Sequence, residues 1–77
     1  MLTGKRIRIW REHLGLSQSG LARDLGWHRQ QLHALETGTM SPKVSTLEKL
    51  VGGMGLTMGR FWTETPTDAD TVIVLDT

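Results

Sequence analysis

Residues 17 to 38 read SQSGLARDLGWHRQQLHALETG, and this stretch decides the fold. Two apolar sets recur in it, first Leu21, Ala22 and Leu25, then Leu32 and Leu35. Spacings of three and four place each set on one face of a helix. Gly26 stands between the sets, and glycine readily takes the left-handed conformation that stops a helix abruptly. The spacing therefore predicts two short helices joined by a tight turn, a helix-turn-helix, with Gly38 ending the second. Ser17 can cap the first helix, and Leu16 can pack on Leu21 as a hydrophobic staple. His28 is a poorer cap, and stapling of Trp27 onto Leu32 can supply by burial what its capping chemistry does not.

Outward from this centre the pattern continues on both sides. Before it, Ile7, Trp10 and Leu14 form one core-facing stripe on a helix from Gly4 or Lys5 to about His13, with Thr3 as a cap and Gly15 as a stop. Lys5, Arg6 and Arg8 lie off that stripe and read first as a solvated face. After it, Thr37 to Lys43 (TGTMSPK) is a loop, because Pro42 disfavours helix at Ser41. Ser45 to Glu48 (STLE) has the form of a capping box and predicts a helix starting near Ser45, with Leu47, Leu50, Val51 and Met54 as its apolar stripe. Gly52 and Gly53 within that stripe call for a close helix–helix contact or early fraying. Gly55 ends the helix. Thr57 then caps a short fifth helix, Met58 to about Trp62, with Leu56 and Phe61 in staple positions.

Beyond Trp62 the character of the chain changes. Thr63 to Asp70 is polar and acidic, a linker by composition, and Val72, Ile73, Val74 and Leu75 make a short β-branched run suited to one strand. A lone strand is not stable, so it needs a partner. Two tails of a dimer can pair, or each strand can add to a sheet in another protein; a disordered end or the stub of a further domain is the remaining reading.

Composition narrows the function. A chain of 77 residues suits one domain with one core. There is no cysteine, hence no disulfide framework or thiolate metal site, and no apolar run long enough for a signal peptide or membrane span, so a cytoplasmic protein is expected. The net charge of +1 hides an uneven distribution. All nine Lys and Arg lie in residues 1 to 62 against four acids (Glu12, Asp24, Glu36, Glu48), a balance of +5, while Glu64, Asp68, Asp70 and Asp76 give the tail −4. A basic domain attracts phosphate through a long-range field, although ordinary surface charge has the same composition. No nucleophile–base pair, phosphate loop or ligand set is visible, which argues against an enzyme and against a cofactor. His28, His33 and Glu36 are the nearest approach to a metal site, yet His28 and His33 are five apart and diverge on a helix, so no metal is expected.

The run LSQSGLARDLG followed by WHRQQLHALETG, flanked by GKRIRIWRE and SPKVSTLEKLVGGMGLTM, resembles the DNA-binding helix-turn-helix of the phage repressor and Cro type, also called XRE type. The resemblance covers roughly residues 3 to 62. It implies an all-α, compact five-helix, lambda-repressor-like domain over residues 1–62, with residues 63–77 as an acidic linker and possible dimerisation strand. It also implies a sequence-specific regulator, a repressor by preference, that binds a double-stranded DNA operator as a homodimer. The alternative is a protein-interaction module or antitoxin whose C-terminal strand docks on a partner protein. Gly20 departs from the usual pattern, in which a helix-forming and often acidic residue stands there.

Site residues follow from this resemblance together with helical geometry. The recognition helix, about His28 to Glu36, should enter the major groove with its N-terminal residues toward base edges. Since Leu32 and Leu35 face inward, Arg29, Gln30 and His33 share the outward face and are the expected base readers, with His33 able to donate or accept once. His28 and Gln31 flank that face as phosphate or sugar contacts. The family places a glutamine such as Gln18 on a phosphate, at a helix N-terminus suited to anions, and lays the following loop on the DNA backbone. Thr37, Thr39 and Lys43 are therefore candidate phosphate contacts, against the plainer readings of an exposed glutamine and a simple connection. In relatives of this type the arginine at Arg11 pairs with the glutamate at Glu36, a structural ion pair. Dimers of this type pair through the fifth helix, which makes Met58, Phe61 and Trp62, together with Val72 to Leu75, the expected dimer contacts and predicts half-sites about 34 Å apart.

Overall fold

The computed structural model describes residues 2 to 64. Each helix forms where an apolar stripe meets a local stop signal. Among the described residues the order is α1 (Leu2–His13), α2 (Gln18–Leu25), α3 (Arg29–Thr37), α4 (Val44–Gly53) and α5 (Met58–Thr63), with no strand. The architecture is all-α. No helix among these residues is long and apolar enough to cross a membrane. The expected strand at Val72 to Leu75 lies outside the described residues.

The turn between α2 and α3 is closed by backbone geometry. Ser17 is the N-cap of α2 and accepts from the Gly20 amide at 2.9 Å. At the other end Gly26 has φ of 74°, and the Trp27 amide returns to the Ala22 carbonyl at 2.8 Å, satisfying a carbonyl the helix would leave open. His28 then starts α3 from extended backbone without a side-chain cap, and Trp27 packs partly buried against the core beside it. Gly38 ends α3 with φ of 82°.

The helices close around Ile7, Trp10, Leu21, Leu32, Leu35, Leu50 and Phe61, each exposed by 2% or less. Helix α3 packs on α1 and α2, while α4 packs on α2 and α5. Two of these approaches depend on glycine. A Cβ on Gly4 would stand 2.4 Å from the Leu35 carbonyl oxygen, so α1 crosses the end of α3 at backbone contact. A Cβ on Gly53 would stand 2.6 Å from Leu25 Cδ2, which identifies the α2–α4 crossing as the close contact that glycine in α4 serves; at Gly52 there is open space.

Three local expectations are corrected. Thr3 is not a cap: α1 begins at Leu2, and Thr3 lies inside it, buried, because the first turn is held down where Gly4 meets α3. Leu14 leaves the core stripe and is 37% exposed, since α1 ends at His13 and the left-handed Gly15 follows at once. Helix α4 does start near Ser45, at Val44, but the STLE run is not its capping box. The N-cap is Lys43, in extended backbone and without a side-chain bond, and Ser45 is already helical. Burial of Leu47, Leu50 and Val51 holds that helix, and capping chemistry at Ser45 is not used.

Helix α5 is fastened by side chains from α1. Trp10 Nε1 donates to the Phe61 carbonyl at 3.2 Å. Arg6 donates from Nε to the same carbonyl and from Nη2 to the carbonyls of Trp62, at 2.9 Å, and Glu64. These are open carbonyls at a helix C-terminus, where a cation is also favoured by the dipole. Arg6 is thus not part of a merely solvated face.

Candidate functional site

The polar side of the helix-turn-helix is built on one buried carboxylate. Glu36, near the end of α3, has a side chain 2% exposed and meets Arg11 of α1, whose side chain is 10% exposed. Arg11 Nε donates to Oε2 at 2.6 Å and Nη2 to Oε1 at 3.1 Å. The remaining nitrogen, Nη1, donates to the Leu16 carbonyl at 2.7 Å, so Arg11 also holds the α1–α2 connection. The hydrogen bonds that Arg11 donates to Glu36 push its pKa upward against the opposing effect of burial, with the charges of Glu36 and Glu12 adding to the rise.

Gln18, the first residue of α2, joins this pair. Its Nε2 donates to Glu36 Oε1 at 3.0 Å and lies 3.4 Å from His33 Nδ1, while its Oε1 accepts from Arg29 Nη1 at 3.2 Å. One amide therefore connects the ion pair to two of the three expected base readers. Periodicity gave no sign of this, because the partners are 11, 15 and 18 residues away in sequence.

Arg29, Gln30 and His33 are all exposed on α3, on the side opposite Leu32 and Leu35. His28 is exposed beside them and Gln31 is partly buried. Thr37 donates from its hydroxyl to the carbonyls of His33 and Ala34 at 3.0 and 3.3 Å. Its contact with the Thr39 hydroxyl at 3.1 Å is then one in which Thr39 donates. Lys43 is exposed at the start of α4. A groove of about 410 Å³ runs along this side, lined by Arg8, Arg11, Gln18, Arg29, His33, Glu36 and Thr37. Among the described residues no three histidines or carboxylates gather as a metal-ligand set.

The expected dimer residues separate. Phe61 is 0% exposed in the core of its own chain and has no surface to give a partner, which corrects its assignment as a dimer contact. Trp62 is 46% exposed and Met58 partly buried. Val72, Ile73, Val74 and Leu75 lie outside the described residues.

A family model described as "Helix-turn-helix" matches residues 7–61. Among curated proteins, the HTH-type transcriptional regulator PuuR of Escherichia coli (strain K12) is 36% identical over 61 residues, 79% of this chain and 33% of that protein. PuuR of Shigella flexneri matches to the same extent. The chain thus spans about a third of the length of the curated relatives it matches. No solved structure matches it significantly.

Proposed function

Since the chain belongs to the XRE-type helix-turn-helix family, we propose that it is a sequence-specific regulator of transcription that binds double-stranded DNA through α3. The observation that carries this reading is the triplet Arg29, Gln30 and His33, exposed together on α3 opposite its buried leucines. A helix with this division can lie in the major groove with base-reading groups outward and its apolar side on the scaffold. Arg29 suits the O6 and N7 of guanine and Gln30 the N6 and N7 of adenine.

In this reading residues 1–62 are the DNA-binding domain and residues 63–77 a tail that joins two copies. His28, Gln31, Thr37, Thr39 and Lys43 surround the reading face and contact phosphate or sugar. Gln18 contributes its backbone amide at the first turn of α2, since its side chain is engaged by Glu36, Arg29 and His33. Arg11 and Glu36 hold α1 against α3. The protein acts as a homodimeric repressor on an inverted repeat with half-sites about 34 Å apart, and Trp62 and Met58 supply apolar surface at the dimer contact. No catalytic step is assigned to it.

Selection of bound duplexes from a random pool, followed by affinity measurement over a range of salt concentrations, tests the reading. Arg29→Ala should lose about 1–3 kcal/mol on the selected site and little on random DNA. Lys43→Ala should weaken binding to all sequences and lower the salt slope by about one. Equal losses for Arg29→Ala on selected and random DNA would remove Arg29 from base reading, and absence of any enriched sequence would remove the function.

A further inference from the structure

The donor and acceptor pattern of the reading face follows from the protein interior. Both oxygens of Glu36 accept from Arg11 and have hydrogen bonds only to accept, and Arg29 can only donate them. Gln18 touches both, so its orientation has one solution: the amide nitrogen turns to Glu36 and the oxygen to Arg29. The second hydrogen of that nitrogen then points at His33 Nδ1, 3.4 Å away. A nitrogen that accepts this hydrogen cannot carry its own, so the His33 proton resides on Nε2.

We propose that Glu36 and Arg29, acting through Gln18, make His33 a donor alongside Arg29, itself a donor in any state, so that each half-site must offer the two of them acceptors: guanine opposite Arg29, and guanine, adenine or thymine but not cytosine opposite His33. The inference rests on the DNA reading proposed above and adds the base class it selects. In the major groove guanine offers O6 and N7, adenine N7 and thymine O4, whereas cytosine offers only its amino group. Arg29 and His33 are one helical turn apart, about 6 Å along α3, a distance that spans one to two base-pair steps. Gln30, on the same face, keeps both a donor and an acceptor. Gln18 and Glu36 are positioning residues here: neither reads a base, and both fix what the readers present.

The test uses the full chain and two readouts. Long-range proton–nitrogen NMR correlations in the absence of DNA report which ring nitrogen of His33 is protonated. The wild type should hold the proton on Nε2 alone, and Gln18→Met should show both tautomers. In parallel, duplexes are selected from a random pool by the wild type, Gln18→Met and His33→Ala, the last identifying the position that His33 reads. The wild type should reject cytosine there, and Gln18→Met should lose roughly tenfold in that discrimination, the effect of one hydrogen bond of ordinary strength. A wild-type proton on Nδ1 overturns the assignment without reference to any variant. Unchanged base preference in folded Gln18→Met overturns it as well. If the wild type holds its Nε2 proton but enriches no sequence, the DNA reading fails and the base preference fails with it.

Discussion

Removing Arg11 should be among the most destabilising single changes in this domain. Arg11→Met deletes two hydrogen bonds to Glu36 and one to the Leu16 carbonyl. It leaves a carboxylate whose side chain is 2% exposed with Gln18 as its remaining donor from a neighbouring helix. Stranding a buried charge in this way costs about 3–5 kcal/mol. A domain of this size holds roughly 4–12 kcal/mol in total, so the loss amounts to at least about a quarter of its stability and, at the lower end of that range, to all of it. Glu36→Leu should cost less, about 1–3 kcal/mol, because the long Arg11 side chain can extend to water and keep its bond to Leu16. The double variant should fall near the wild type, within the ~1 kcal/mol of the lost Leu16 bond, which gives a coupling of roughly 3–8 kcal/mol. Urea unfolding followed by tryptophan fluorescence measures all four chains, with equal slopes required for comparison. The pKa of Arg11 is raised in the fold, so its contribution is complete below the ordinary arginine range and is lost only as pH rises past it. The coupling should therefore be the same at about pH 7 and about pH 9. A coupling below about 0.5 kcal/mol would refute the reasoning.

Gly4→Ala should destabilise by about 1–3 kcal/mol in the same urea assay, since its Cβ would meet the carbonyl oxygens of Leu35 and Glu36 at 2.4 and 2.7 Å and backbone cannot yield cheaply. Gly52→Ala should stabilise by up to about 1 kcal/mol, because it sits within α4 with open space around the new methyl. Arg6→Met should free the C-terminus of α5: amide exchange there should rise while exchange in α2 and α3 stays unchanged, with a stability loss of about 1–2 kcal/mol. Loss of protection spread evenly over all five helices would instead make Arg6 a support of the whole core.

The helix-turn-helix was legible because its determinants are local. Stripes at spacings of three and four, a serine before one helix and a glycine after each helix of the pair are set within a turn or two of chain, and the structure has them in place. What periodicity missed depends on residues distant in sequence. Thr3 has the chemistry of a cap, but contact with α3 at Gly4 carries α1 two to three residues further, to Leu2, and buries it. Ser45 has the chemistry of a cap too, yet α4 is held by the burial of Leu47, Leu50 and Val51 and begins before it. Arg6 reads as surface because its partners are 55 to 58 residues away. Its place four residues before Trp10, at the edge of the buried stripe, was the one local hint.

In the candidate site the same division applies, and it has a functional consequence. Helical spacing exposes Arg29, Gln30 and His33 together, but only the fold brings Gln18 between two of them and Glu36. The pair that fixes α1 against α3 is thereby continuous with the groups proposed to read bases. Stability and base preference should then be separable at the surface and inseparable beneath it. Arg29→Ala removes one reader and leaves the buried pair intact, so it should alter preference at nearly constant stability. Glu36→Gln replaces an obligate acceptor by a group that can also donate, so the orientation of Gln18 rests on the exposed Arg29 alone. It should lower stability and, in the chains that remain folded, broaden the preference at the His33 position toward that of Gln18→Met. A Glu36→Gln chain that loses stability but selects the same bases as the wild type would separate the two roles and confine Glu36 to holding the helices.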